Sequence, residues 1–167
     1  FRALIAVDTA AARKKVDALL VRDSHQDVIR RAAISYFGSV KNDKNYDRLK
    51  ELASYGGTTW DARPEAVSQL SRYAKEKRET VDIFVNLLED RSRDVRRRAI
   101  YALATHGDKT HLGPLDEVMF KDPALGRDIR YAKKRILNPP KKPTKTPVEK
   151  KLEEANRKLD EIKRLLD

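Results

Sequence analysis

The sequence predicts an all-α fold: a right-handed superhelical stack of about four helix pairs over residues 1–137, a Pro/Lys-rich linker at 138–147, and a coiled-coil-type helix at 148–167. Three observations predict it. First, Asp94 to Asp108 reads as one amphipathic helix closed by Gly107-Asp108, and its pattern returns twice earlier in the chain at a constant spacing. Asp61-Ala62-Arg63, Ala66-Val67 and Leu70 match Asp94-Val95-Arg96, Ala99-Ile100 and Leu103, and Ile29-Arg30, Ala33-Ile34 and Phe37 match them again. A fixed period of about 33 residues marks a stacked repeat array. Second, the segments between these copies carry their own apolar residues at helical spacing. Third, Val148, Leu152, Ala155, Leu159, Ile162 and Leu166 follow the 4-3-4-3-4 spacing of a heptad seam.

Sliding the pattern back three periods places Ile100 on Phe1, Ala102 on Ala3 and Leu103 on Leu4. The chain is therefore expected to begin inside the first helix of a repeat and to be a fragment of a longer protein. Thr9 to Val21 reads as the partner helix, with Thr9 as N-cap and Val16, Leu19 and Leu20 inward. Asp27 to Val40 is the next first-type helix, and Asn42 to Asn45 a turn. Tyr46 to Tyr55 follows as partner, stopped by Gly56-Gly57, which tolerates positive φ. Asp61 is expected to cap the next helix, with Pro64 in its first turn, where no backbone bond is lost. Val67 and Leu70 face inward, with Tyr73 close to the same face. Glu79 to Leu88 is its partner, with Val81, Phe84, Leu87 and Leu88 inward. The Asp94 helix pairs with Leu112 to Phe120. Gly126 to Leu137 is the last first-type helix, polar on its outer face as a terminal repeat should be.

The net charge is +11. The linker holds Lys141, Lys142 and Lys145, and the segment 148–167 holds six basic and six acidic side chains. The segment 1–137 holds 28 basic against 20 acidic, or +8. Such a surplus favours anionic partners. There is no cysteine, so there is no disulfide framework and no thiolate metal site. That fits a reducing compartment such as the cytoplasm and does not exclude secretion. No apolar run approaches the length of a membrane span.

Val95-Arg96, Ala99-Ile100, Leu103, Gly107-Asp108 and Pro114-Leu115 together resemble a HEAT (armadillo-like) repeat. The Thr-Pro-Leu-His turn of ankyrin repeats and the Trp…Leu-Gly…Tyr pattern of tetratricopeptide repeats are missing. From Leu52 to Leu137, the stretches LASYGG, ARPEAVSQL, VDIFVNLLEDRSRDVRRRAIYALATHGD and GRDIRYAKKRIL resemble the C-terminal HEAT-repeat region of bacterial zinc aminopeptidases of the aminopeptidase N family. The resemblance implies a non-catalytic domain that packs on the catalytic domain of the same parent chain and helps enclose substrate, or binds partner proteins. The family's His-Glu-x-x-His motif does not occur here, so no catalytic, cofactor or metal residue carries over. A basic solenoid that cradles nucleic-acid backbone, and a general protein-binding scaffold, are the alternatives.

Arg30, Arg63, Arg96 and Arg130 are read as one recurring position, with Asp61, Asp94 and Asp128 two positions ahead of the last three. A structural Asp–Arg ladder between stacked loops is expected, in preference to an anion-binding stripe, because the carboxylates recur with the guanidiniums. His106 and His111 lie five apart across a helix end, which does not suit a helical zinc pair. Arg96, Arg97 and Arg98 are consecutive and point around their helix, so they do not form one patch. Trp60, in a loop beside Gly56-Gly57, is the foremost candidate contact, with Arg97 and Arg98. Leu152, Leu159, Ile162 and Leu166 are candidates for homo-oligomer formation through the tail.

Overall fold

Arg93–His106 is the longest of the eight α-helices within residues 10–140, and the described residues hold no strand. The computed structural model describes residues 10–140 and 154–157. The expectations for residues 1–9 and for most of the heptad seam therefore lie outside the described residues. The helices are α1 (Ala10–Leu20), α2 (Val28–Ser39), α3 (Asp43–Ala53), α4 (Arg63–Leu70), α5 (Thr80–Leu87), α6 (Arg93–His106), α7 (Leu112–Lys121) and α8 (Gly126–Leu137). No helix among them is long and apolar enough to cross a membrane.

The even-numbered helices pack in series, α2 on α4, α4 on α6 and α6 on α8. The odd-numbered ones lie against them: α1 on α2, α3 on α2 and α4, α5 on α6, and α7 on α8. The reason is legible in the repeat period. Ala33, Ala66, Ala99 and Ala132 occupy one register position on the four even helices, and each is fully buried. A methyl group there lets helix backbones approach closely. Ile34, Phe37, Val67, Leu70, Ile100 and Leu103 join one continuous apolar cluster, as expected.

Two helix starts differ from expectation, each for a local reason. α3 starts at Asp43 rather than Tyr46, because the Asn42 side chain accepts the Asn45 N–H at 2.9 Å and caps the helix there. Asp61 does not cap α4. The Thr59 carbonyl accepts the N–H groups of Ala62 and Arg63 at 3.2 and 3.1 Å, so Asp61 lies within a turn, exposed, and Ala62 holds the N-cap position. α4 ends at Leu70, where bonds such as Tyr73 N–H to the Leu70 carbonyl at 2.9 Å tighten the chain. Tyr73 is still buried and donates its hydroxyl to the Phe37 carbonyl at 2.7 Å. Pro64 and Pro114 sit in first turns, and Gly56 has φ +80° at the stop after α3.

Candidate functional site

The recurring arginines build a frame. Arg30 Nε donates to the carbonyl of Leu20, the last residue of α1, at 2.5 Å. Arg63 donates through Nε and one terminal nitrogen to the carbonyl of Ala53, the last residue of α3, at 3.2 and 3.0 Å. Arg96 donates to the Asp90 carbonyl, just past α5, at 2.6 Å. Each guanidinium thus satisfies a carbonyl left open where the preceding helix ends. Each also reaches forward. Arg63 holds both carboxylate oxygens of Asp90, at 3.2 and 2.5 Å, and Arg96 holds Asp122 at 2.6 Å. Arg30 bonds Asp27, Asp23 and, at 3.3 Å, the Thr59 hydroxyl, which itself donates to Asp27.

The ladder therefore exists with different carboxylates from those expected. Asp61 makes no ion pair among the described residues, and Asp94 pairs with Arg97. Asp128 is buried on α8 and accepts from Arg97 Nε at 3.2 Å and from the Tyr101 hydroxyl at 2.8 Å. Arg130 is exposed and makes no ion pair among the described residues, because it lies one position past the repeat counterpart of Arg96. The true counterpart, Ile129, is buried and apolar. The clamp thus stops at the last even helix.

The three consecutive arginines of α6 divide as their helical directions require. Arg96 goes to the frame and Arg97 to Asp94 and Asp128. Arg98 has no ion pair among the described residues and faces an open groove of about 570 Å³. Arg97 and Arg98 line that groove with Trp60, Arg31, Asp61 and Asp94. It lies at the N-terminal ends of α2, α4 and α6. Trp60 is 53% exposed there, so the structure brings together the three contact candidates read from the sequence. Arg31 is not among those candidates, although it stands two periods before Arg97 in the same register.

Gln26, at the rim, and Asp27 have φ of 51° and 54°. Left-handed residues with a Cβ cost roughly 1–3 kcal/mol each and persist only where neighbours hold them. Here Asp27 is held by Arg30 and Thr59, and the Ser24 hydroxyl accepts the Ile29 N–H at 3.0 Å.

Donation from Arg96, then Arg93, holds the Asp122 carboxyl below its ordinary range. Donation to Asp128 and burial raise the Tyr101 phenol. Burial, then Lys75 and Arg78, pushes His106 below the ordinary histidine value. His111 closes the turn before α7, its ring accepting the Asp108 N–H at 3.1 Å. Among the described residues no group of three or more His, Cys, Asp or Glu is placed to hold a metal. Leu152, Leu159, Ile162 and Leu166 lie outside the described residues; residues 154–157 are helical and exposed. No protein family, curated protein or solved structure matches the chain.

Proposed function

We propose that this chain is a non-catalytic HEAT-type repeat domain, the C-terminal region of an aminopeptidase N-like zinc metallopeptidase. It packs on the catalytic domain of its parent and presents the Trp60 groove to substrate or to a partner protein. The arginine clamp carries the scaffold part of this reading. One device, repeated at Arg30, Arg63 and Arg96, ties the end of one helix to the loop of the next unit. A frame locked this way holds a surface in fixed geometry, which is what a docking domain needs. The likeness of residues 52–137 to the aminopeptidase region supplies the parent.

The groove supplies the contact. A half-exposed Trp beside Arg31 and Arg98 offers the residue types enriched at protein interfaces. Reading the gene upstream of Phe1 tests the parentage. A His-Glu-x-x-His with a downstream Glu supports it, and an upstream frame without that motif rejects it. Trp60→Ala in the parent should weaken docking of the domain and leave the domain folded.

A second reading has one observation in its favour. α8 carries Arg127, Arg130 and Lys134 exposed and without ion pairs among the described residues, and three linker lysines follow. A nucleic-acid backbone would neutralise such a run. A mobility shift that weakens steeply with salt, and with Arg130→Glu, would select this reading over protein docking.

A further inference from the structure

One position breaks the repeat where the structure opens a cationic basin. Asn42, Lys75 and Asp108 stand one period apart. Asn42 and Asp108 each cap the helical turn that follows, accepting the Asn45 N–H at 2.9 Å and the Thr110 N–H at 3.0 Å. An ammonium group has no acceptor, so Lys75 cannot cap. The helix of its unit, α5, starts only at Thr80 and has no side-chain cap, whereas α3 starts directly after Asn42. A cap is lost here and a cation stands in its place. Natural sequences break a local rule of this kind chiefly at functional sites.

The basin, with a volume of about 430 Å³, lies at the C-terminal ends of α2 and α6 and just past α4. These are the opposite helix ends from the Trp60 groove. Lys41, Arg72, Lys75 and His106 line it, and no carboxylate lines it among the described residues. One terminal nitrogen of Arg72 donates to the Gly38 carbonyl at 3.3 Å and reaches the Ser39 hydroxyl at 3.5 Å, which fixes the guanidinium. Two acids close by are engaged. Glu76 pairs with Lys41 at 2.6 Å, and Asp108 pairs with Arg78 at 2.9 Å. Cations at helix C-termini ordinarily offset the helix dipole. Arg72 and Arg78 do so here, through the Gly38 and His106 carbonyls. Lys75 is exposed and makes neither an ion pair nor a carbonyl bond among the described residues, so that role leaves it over.

We propose that Arg72, Lys75 and His106 form a phosphoryl-binding site, separate from the Trp60 groove and independent of the parentage of the chain. A phosphoryl group brings close to two negative charges and three acceptor oxygens. A fixed guanidinium, an unengaged ammonium and an imidazole meet it from the turn after α4 and the end of α6. A carboxylate offers one charge and two oxygens. Free phosphate and a phosphorylated side chain present the same group. Lys75 and Arg78 already act on His106 as cations, and a bound dianion offsets them.

In the full-length chain, inorganic phosphate at constant ionic strength should shift the His106 imidazole signals saturably and move their titration to higher pH. Lys75→Asn installs the residue that the register carries at Asn42, so the fold should be retained, while binding weakens about tenfold or more. Arg72→Met should weaken it in the same way. A tripeptide carrying phosphoserine separates the two sources: tighter binding than inorganic phosphate assigns a modified protein segment, and equal binding assigns the free ion. The same shift with chloride in place of phosphate overturns the proposal, as does parental phosphate binding in Lys75→Asn. Equal binding of a tripeptide carrying aspartate in place of phosphoserine overturns it too.

Discussion

Arg63 and Asp90 form a buried, two-pronged ion pair between the start of α4 and the loop before α6, with contacts of 2.5 and 3.2 Å and side chains 2% and 8% exposed. The Asp90 carboxylate also accepts the Ser92 N–H at 2.8 Å. One carboxylate therefore shapes its own loop and ties it to the neighbouring unit. Removing it strands a guanidinium in the core. Asp90→Leu should cost about 3–5 kcal/mol, and Arg63→Met with Asp90→Leu should cost less than Asp90→Leu alone. Urea unfolding of the cycle measures both; additive losses would show that the two groups are not coupled.

Ala99 sits where α6 passes its neighbours, fully buried. Ala99→Leu should overpack the contact and cost about 1–3 kcal/mol, whereas Ala11→Leu, on an exposed face of α1, should stay within about 0.5 kcal/mol. Equal effects at the two sites would place Ala99 at the surface.

The Tyr36 hydroxyl is buried without a hydrogen-bond partner among the described residues, its ring edge-on to Phe37 at 5.6 Å. An unsatisfied buried hydroxyl costs roughly 1–3 kcal/mol, so Tyr36→Phe should raise stability by about 1 kcal/mol. A loss of that size in urea unfolding would mean that the hydroxyl has a partner in solution.

His106 and Asp122 both contribute to the acid side of the stability profile. The folded pKa of His106 lies below 6.5, so its contribution is present above 6.5 and lost as pH falls through the folded value. Asp122 is depressed from 3.8, so its contribution is present above that value and lost as pH falls further. Unfolding midpoints from pH 7 to 3 should fall in these two windows. His106→Gln should flatten the first and Asp122→Asn the second. Unchanged profiles in the variants would assign acid sensitivity elsewhere.

The even helices are legible in the sequence because their period survives in small and apolar residues such as Ala33, Ala66 and Ala99, which packing constrains directly. The arginines are legible for the same reason. Their partners are not, because Asp90 and Asp122 stand in the loop of the following unit, and Asp61 and Asp94 recur closer at hand. Arg130 stands one position off the register, which a strict count to Ile129 corrects. The left-handed turn at Gln26 and Asp27 carries no glycine to announce it; it is held by Asp27, Arg30 and Thr59 meeting in space and by Ser24. Trp60 can be read from its loop, but the groove around it needs three helix ends side by side, which the period implies and no single segment states.

The clamp is most directly tested by substituting arginines that the sequence presents alike and the structure separates. Side-chain exposure is 2% for Arg63, 7% for Arg30 and 18% for Arg96, whereas Arg31 and Arg98 are exposed without ion pairs among the described residues. Urea unfolding of the five Arg→Met variants should rank Arg63 first, with a loss of about 3–5 kcal/mol. Arg30 and Arg96 should follow, and Arg31 and Arg98 should stay within about 0.5 kcal/mol of the parent. A loss at Arg63 no greater than that at Arg98 would contradict the clamp and the scaffold built on it.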